Sequence, residues 1–427
     1  MNGIRVGAWK VTPSSGHEFA YDEAWIGHPE ARPISLSMAL RPHEPYRGEQ
    51  VSNYFENLLP DNRRIRERLQ QRFRTSSVRA FDLLAEVGRE CIGAIQLLPA
   101  GEAPPSVQRI DSVPLEDRDV ENHLTRLIAD GRHVDEAQGD DFRMSLAGAQ
   151  EKTALLRLGT RWHLPRGATP TTHILKLPLG VSRAGIDLST SVENEWLCSQ
   201  LLGEFGVDAA ACEMARFGTM KVLVVERFDR KFAPGNRWIM RLPQEDFAQV
   251  AGIPPELKYE SDGGPGIRWI MDHLRGSENA EADRIRFMRT QWIFWLLAAI
   301  DGHAKNFSVF IRAGGRFLST PGYDVLSAYP LMGRGASKLA PEKVRMSMAV
   351  WGSNRHYRWA DIRRPHFLAT ARDCGLGNVA ESLIDETIAR APNAVDAVGA
   401  RLPRGFPASV ADSIFEGVIQ AAKRLGA

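Results

Sequence analysis

The sequence predicts an α+β protein, in which a strand-rich region is joined to a helix-rich one. Three observations predict it. Between about 141 and 230, short apolar runs alternate with turn residues, the signature of strands. From about 231 to 427 apolar residues recur at helical spacing, most clearly in Arg284 to Ile300 and in Ser409 to Arg424. The chain has 427 residues, 43% hydrophobic and 25% charged, so it has length for two or three domains and apolar side chains for a large core. No internal repeat is visible.

Residues 1–110 mix short strands and helices and form a first subdomain. Ile34 to Leu40, ISLSMAL, alternates with the period of a strand. Asn53 to Arg74 has helical content broken at Pro60, with Asp61 or Asn62 placed to cap the second helix. The stretch from 101 to 120 holds three prolines among polar residues, and residues 111–140 are expected to be a connector. In the 141–230 segment, Thr153 to Leu158 and Arg161 to Leu164 flank Gly159-Thr160. Gly at the first turn position suits a type II′ hairpin. Thr172 to Leu177 and Val222 to Val225 read as further strands, with a helix over Glu193 to Phe205 between them.

Composition excludes several classes. Formal net charge is only +2, which argues against a protein that coats nucleic acid over its whole surface. The four cysteines are widely spaced and form no CxxC pair, so neither a zinc ribbon nor a disulfide framework is expected. MNGIRVGAWK has no apolar core of a signal peptide, and the most apolar run, Trp292 to Ile300, falls well short of the roughly twenty residues of a membrane span. A cytoplasmic protein with no membrane partner is expected.

The polar stretch after that apolar run carries the chemistry. Asp301 follows Leu296 to Ile300, with Gly302 placed to close the helix, and Asn306 comes five residues later with Lys305 between. An Asp and an Asn at this spacing match the catalytic loop of phosphoryl-transfer enzymes, although the HRD tripeptide is absent. Asp324 lies 23 residues after Asp301, beyond an expected hairpin of Phe307–Ile311 and Gly315–Leu318, where a second metal-binding Asp would stand. Lys176, inside an apolar strand, suits the lysine that neutralises nucleotide phosphates, and Glu193 or Glu195 is a candidate partner. The SLAGAQEK segment, Ser145 to Lys152, is a small-residue turn able to present N–H groups to phosphates. Glu226-Arg227-Phe228 follows a strand as an adenine-binding hinge would. Arg355 to Arg372 carries five arginines and two histidines against one Asp, a solvated helix face or a surface that tracks duplex phosphates.

Several longer segments now point one way: RPISLSMAL, NYFENLLPDN, FDLLAEVGRECIGA, SLAGAQEKTALL, TPTTHILKLPLG, VERFDR, RLPQED, KYESDGGPGI, DGHAKNFSVFI and GYDVLSA. In these the chain resembles, nearly end to end, the HipA-type serine/threonine kinase toxins of bacterial toxin–antitoxin systems. The resemblance implies a protein-kinase-like two-lobed fold with a strand-rich N-terminal lobe, its ATP-binding part at 141–230, and an all-helical C-terminal lobe at 231–427. It implies ATP and Mg²⁺ as cofactors, Asp301 as catalytic residue, and Asn306 and Asp324 as metal ligands. Ala147, Gly148, Ala149, Gln150, Glu151 and Lys152 would wrap the phosphates and Lys176 would contact them. Glu226, Arg227 and Phe228 would border adenine, and His303, Ala304, Lys305, Asn306, Tyr323 and Asp324 would close the site. Ser145 matches the serine at which family members phosphorylate and inactivate themselves.

The implied substrate is an aminoacyl-tRNA synthetase, the glutamyl enzyme first, whose modification halts translation and promotes growth arrest. The implied partner is a HipB-like helix-turn-helix antitoxin, on which the toxin sits at operator DNA; Arg363, Arg364 and Arg372 of the basic stretch are the candidate DNA contacts, and of the pair near 372–375 that touches DNA in relatives only Arg372 is basic here. Family members begin with an extra strand before the RVG segment, so an incomplete N-terminal sheet is expected here. Two other readings compete with an active protein kinase: a catalytically silent corepressor, and a small-molecule phosphotransferase on the same scaffold.

Overall fold

The computed structural model describes residues 1–14, 16–128, 144–148, 150–182 and 184–426. The chain forms two compact units that interleave along the sequence. One comprises Met1–Leu177, Ala215–Glu256 and Ser308–Phe317; the other comprises Pro178–Met214, Leu257–Phe307 and Leu318–Ala427.

In chain order, the first unit opens with β1 (Gly7–Thr12) and β2 (Gly16–Tyr21), then α1 (Glu23–Ile26) and β3 (Tyr46–Arg47), which complete a three-stranded sheet. Helices α2 (Glu49–Glu56), α3 (Arg63–Phe73) and α4 (Ala80–Val87) follow. The buried faces of α2 and α4, with Tyr54, Phe55, Leu83 and Leu84, form one core with Trp25 and Met38, against which the partly buried Leu69 and Phe73 of α3 pack. Pro60 separates α2 from α3, and the Asn62 side chain accepts from Arg64 N, so Asn62 rather than Asp61 is the cap.

Two expectations fail here. Ile34 to Leu40 is not a strand but a tight turn with a single bridge between Ser35 and Met38. Ile34, Ser35 and Met38 are buried together, so the alternation in the sequence comes from a folded turn rather than from a pleat. The expected connector also contains regular structure, namely β4 (Ser112–Leu115) and α5 (Asp117–Ile128); residues 129–140 lie outside the described residues. Pro114 misled the reading: β4 is an edge strand, where a residue without an N–H is tolerated.

The sheet that carries the candidate nucleotide residues contains β5 (Lys152–Leu158), β6 (Arg161–Pro165) and β7 (His173–Lys176). After α6 (Ser191–Glu204) come β8 (Cys212–Phe217) and β9 (Met220–Glu226). The strand order is β4-β6-β5-β7-β9-β8. Gly159 turns from β5 to β6 at φ +59°, as the hairpin reading requires. Helix α5 packs Val120 and Leu124 onto Leu155, Leu175, Val222 and Val224 of this sheet.

Beyond it lie β10 (Arg230–Phe232), β11 (Ile239–Arg241), β12 (Gln244–Asp246), α7 (Phe247–Val250), α8 (Ile267–His273) and α9 (Ala280–Leu296). Next come β13 (Ser308–Ile311), β14 (Phe317–Ser319), β15 (Arg345–Trp351) and β16 (Arg355–Arg358). The chain ends in α10 (Arg364–Asp373), α11 (Gly377–Gly399) and α12 (Ala408–Gly426). The C-terminal region is therefore rich in helix but not all-helical, because it contains the β15–β16 hairpin and the short strands before it. No helix among the described residues is long and apolar enough to cross a membrane. All four cysteines are free. Cys91, Cys198 and Cys374 are buried, and burial pushes the Cys91 thiol up to about 12, so it is inert.

One buried acid in the first unit is set against its surroundings. Glu245 on β12 is fully buried, accepts a hydrogen bond from Leu36 N at 2.6 Å, and is pushed by burial to a pKa of about 8. A carboxyl raised in the folded state stabilises the fold below its ordinary pKa, and that contribution fades as pH climbs towards 8. We expect Glu245→Gln to raise the melting temperature at pH 8 and to change it little at pH 5, as measured by calorimetry.

Candidate functional site

The candidate catalytic residues lie in the second unit, at the end of α9. This helix buries Phe287, Trp292, Trp295 and Leu296, and its last turn is held from three directions. Trp295 and Trp359 stack at 5.8 Å and exchange hydrogen bonds from each indole N–H to the other's carbonyl, at 3.1 and 2.8 Å. The Arg424 guanidinium lies over both rings, and Tyr329 donates to the Leu296 carbonyl. The helix is closed at Ala298, not at Gly302. Ala298 takes φ +47°, and Ala299 N reaches back to Phe294 O at 2.7 Å, a Schellman closure without glycine. Gly302 serves another end: a Cβ there would lie 2.5 Å from the Phe294 ring, so only glycine lets the loop cross the helix so closely.

Asp301 emerges exposed from this closure. His303, Ala304, Lys305 and Asn306 are buried in a short 3₁₀ turn. The Asn306 side chain spans the loop: its Oδ1 accepts from His303 N at 3.1 Å, and its Nδ2 donates to Asp324 Oδ2 at 3.1 Å. The fold thus brings Asn306 and Asp324, 18 positions apart, into direct contact. Tyr323 donates its hydroxyl to the Lys305 carbonyl at 2.9 Å, which binds the two segments a second time.

Asp324 itself takes φ +60°, a left-handed conformation that Asp adopts more readily than most residues and that must be held by its neighbours. The neighbours are rigid. Gly322 exchanges backbone bonds with Asp208 and Ala210 at 2.8 Å each, and the Asn194 amide bonds both Ser327 O and Ser327 N at 2.8 Å. The donor set is the Asp324 carboxylate and the Asn306 amide, whose nitrogen bonds that carboxylate and whose oxygen accepts from His303 N. Among the described residues no group of three His, Cys, Asp or Glu forms a cation cage. Such a pair fits Mg²⁺, which keeps several waters and takes its other ligands from substrate phosphates.

The candidate phosphate residues lie in the first unit. Lys152 on β5 stands directly opposite Lys176 on β7, so their side chains share one face of the sheet. Like charges so placed repel, and an anion against them relieves the repulsion. Gly148 has φ +105°, and a Cβ there would fall 2.6 Å from Lys152 Nζ, so the ammonium rests against the loop backbone. Lys176 is buried, as are Glu193 and Glu195 on α6 of the other unit.

The loop before β5 is docked onto the N-terminal segment. Met144 bridges Glu90, Ser145 N donates to Glu90 O at 2.8 Å, and Ser145 Oγ donates to Leu58 O at 2.7 Å, with Ser145 buried. Leu146 is buried and Ala147 half-buried beside it, and Asp61 N bonds Gly148 O at 3.1 Å. Gln150 donates to Leu177 O, Glu151 pairs with Arg68, and Ala149 lies outside the described residues.

The three candidate hinge residues differ in what they can offer. Glu226 ends β9 with its side chain exposed, and Phe228 is half-buried with its ring 5.8 Å from Phe310. Arg227 is committed to the fold. Its N–H bonds Thr172 O, and its guanidinium is buried on Glu90, Asp229, Thr171 and the Cys91 carbonyl, so its side chain is not offered to a nucleotide.

Arg227 belongs to a buried cluster that sequence reasoning missed. Glu90 accepts from Arg227, Arg230 and Arg241 and from Thr171 N and Oγ1, at 2.6 to 3.1 Å. Asp229 accepts from Arg227, Arg230 and Gly93 N. Burial works to raise the Glu90 carboxyl, but the three guanidiniums outweigh it and hold Glu90 well below the usual carboxylate range. Burial and the Arg227 charge bring Arg230 down to about 10. The only sequence signal was charge interrupting apolar runs, in Arg89-Glu90-Cys91 and in Glu226-Arg227-Phe228-Asp229-Arg230.

The basic stretch is not one face. Arg355 and Arg358 lie on β16, whereas Arg364 opens α10 and is paired with Asp385 at 2.6 Å and Glu381 at 3.5 Å. Arg363 donates to the carbonyls of Ala360 and Ile362, and Arg372 is exposed. Of the three candidate DNA contacts, Arg364 is thus already satisfied within the unit.

Comparison with known proteins decides the family. Residues 1–98 match the HipA N-terminal domain, and residues 144–395 match the HipA-like C-terminal domain. The chain belongs to the HipA family. It is 34% identical over 320 residues to a putative kinase, Y4mE, of Sinorhizobium fredii, covering 73% of each chain. It is 28% identical over 290 residues to the serine/threonine-protein kinase toxin HipA of Shewanella oneidensis, covering 65% of this chain and 63% of that one. The fold agrees with a solved Shewanella HipA, in complex with HipB and operator DNA, at a TM-score of 0.78 and 21% identity over 99% of this chain and 96% of that one. The chain is a HipA-type kinase with the α+β, kinase-like fold of its family.

The charge cluster makes a direct test. Glu90→Gln leaves three guanidiniums facing one carboxylate, and breaking a buried ion network of this kind typically costs about 3–5 kcal/mol. We expect a loss of that order in urea unfolding at pH 7. In the wild type, carboxyls held below their ordinary pKa stabilise the fold above the ordinary carboxylate range. That contribution is lost only as pH falls through their depressed values. The penalty of Glu90→Gln should therefore be constant from pH 5 to 8.

Proposed function

We propose that this protein is an ATP- and Mg²⁺-dependent serine/threonine protein kinase toxin, with Asp301 as the base. The observation that carries the reading is the Asn306–Asp324 hydrogen bond beside Asp301, a base and a metal-ligand pair on one rigid frame. In the reaction the acceptor hydroxyl gives its proton to Asp301 as its oxygen bonds to the γ-phosphorus. The bond from that phosphorus to the bridging oxygen breaks, and ADP leaves with the electron pair. Asn306 and Asp324 would hold Mg²⁺, which would supply charge neutralisation at the phosphates. Lys152, Lys176 and the 147–152 backbone receive the phosphates, while Glu226 and Phe228 border the base. An intact set of these groups favours an active kinase over a silent corepressor.

The acceptor we propose is an aminoacyl-tRNA synthetase, the glutamyl enzyme first, so that transfer halts translation in the cytoplasm. The partner is a HipB-like helix-turn-helix antitoxin at operator DNA. The complex named for the Shewanella structure supports it, and the exposed Arg372 is the candidate of the three left to meet phosphate.

Ser145 is the proposed site of self-inactivation. Its hydroxyl is buried on Leu58 O, so a phosphate of roughly −1.5 to −2 charge has no room in the docked loop. Modification then excludes the docked conformation and removes the loop from the phosphates.

Incubation with labelled ATP and purified synthetases, followed by mapping of the phosphorylated residues, tests the reading. Asp301→Asn should keep the fold and lower transfer by about 10²–10⁴-fold. Transfer at the wild-type rate would remove Asp301 from the mechanism. Lys176→Met should weaken ATP binding in titration calorimetry. Ser145→Ala should never self-inactivate during prolonged exposure to Mg·ATP, and the serine form should lose ATP affinity as phosphate appears at 145.

A further inference from the structure

Residues 257–266 supply a side chain that no kinase-like spacing pointed to. Tyr259 donates its hydroxyl to Asp301 Oδ1 at 2.8 Å, and its ring meets the His303 ring edge to face at 5.1 Å. One residue earlier, the Lys258 carbonyl accepts from Ala304 N at 3.2 Å. The segment therefore grips the catalytic loop on both sides of Gly302, by a side chain at Asp301 and by backbone at Ala304.

The grip is rigid because the segment is tightly folded and anchored elsewhere. Asp262 N and Gly264 N both return to Tyr259 O, at 3.1 and 2.9 Å. A Cβ on Gly264 would lie 2.1 Å from Leu257 O, so no larger residue fits that fold. Glu260 accepts from Ala349 N of β15 at 2.6 Å. The same strand holds the residue before Asp301, since Ser347 N and Oγ both donate to Ile300 O, at 3.0 and 2.6 Å. Strand β15, the 257–266 segment and the 300–304 loop thus form a closed circuit of hydrogen bonds, in which the Tyr259–Asp301 link is made by two side chains.

We infer that Tyr259 is a positioning residue for phosphoryl transfer: its phenol fixes the rotamer of the Asp301 carboxylate and favours the ionised form that accepts the acceptor's proton. This rests on Asp301 being the base. A hydrogen bond donated to a carboxylate stabilises its charge, so losing the bond makes the carboxylate easier to protonate. A freed carboxylate also samples other rotamers, which lowers the fraction aimed at the acceptor. Neither effect touches the nucleotide, so the change falls on kcat rather than on KM for ATP.

The test compares wild type, Tyr259→Phe, Tyr259→Ala and Asp301→Asn as full-length proteins, with ADP release from Mg·ATP measured from pH 5 to 9 and melting temperature measured alongside. Tyr259→Phe keeps the ring against His303 and removes only the donor. Its kcat should fall about 3- to 10-fold with KM for ATP within twofold, as expected for one charge-assisted bond at an exposed carboxylate. The acid limb of its pH profile should move up, and its melting temperature should stay within about 2 °C of wild type. A Tyr259→Phe profile that superimposes on wild type overturns the inference while leaving Asp301 as base, provided Asp301→Asn is inactive. A defect found only in Tyr259→Ala assigns the residue to packing and also overturns it. Wild-type turnover by Asp301→Asn overturns the base assignment itself.

Discussion

The first unit depends on one buried arrangement, three guanidiniums against two carboxylates around Glu90. Taking such charges out of water costs several kcal/mol per ion, and only near-complete hydrogen bonding offsets it. Its members come from distant parts of the chain: Glu90 and Gly93 from the N-terminal segment, Thr171 from just before β7, Asp229 and Arg230 from the turn into β10, and Arg241 from β11. The cluster joins the N-terminal HipA domain to the six-stranded sheet through charge, where an apolar contact would do so with less geometric demand. Orientation is the gain, since a guanidinium fork accepts few arrangements of its acceptors.

The cluster also sets the state of the loop ahead of β5. The backbone of Glu90 receives Ser145 N while its side chain receives Arg227, so both segments are held by one residue. Ser145 is held by bonds to two backbone carbonyls and by burial, with no charge of its own in the contact. That is a modest attachment, worth on the order of 1 kcal/mol for each neutral bond.

In the second unit the ordering is done by strain and aromatic packing. Ala298 and Asp324 both take left-handed conformations that cost energy, and each is fixed by neighbours on both sides. The Trp295–Trp359–Arg424 stack stops α9 from fraying, so Asp301 leaves a helix end that cannot shift. Asn306 then carries one segment's geometry to the other through its two amide atoms.

The sequence by itself determined the secondary structure wherever pattern and turn chemistry agreed, as in the β5–β6 hairpin at Gly159, α6, α9 and α12. It also brought Asp301, Asn306 and Asp324 to notice, because a loop of fixed length must place polar side chains at fixed intervals. Local pattern misread Ile34 to Leu40, where burial follows a turn, and Pro114, which only edge position makes acceptable in a strand. Gly302 drew the helix closure by its type, although the chain reverses at Ala298 and glycine is needed for the Phe294 crossing. Arg227 looked like a hinge residue and Arg364 like a free cation, since charge is visible in a sequence and its partner is not. Tyr259, Glu90 and Asn194 act on groups 42, 137 and 133 positions away respectively, at Asp301, Arg227 and Ser327. Only the tertiary fold decides contacts of that range, because a hydrogen bond depends on distance in space and carries no trace in the spacing of residues.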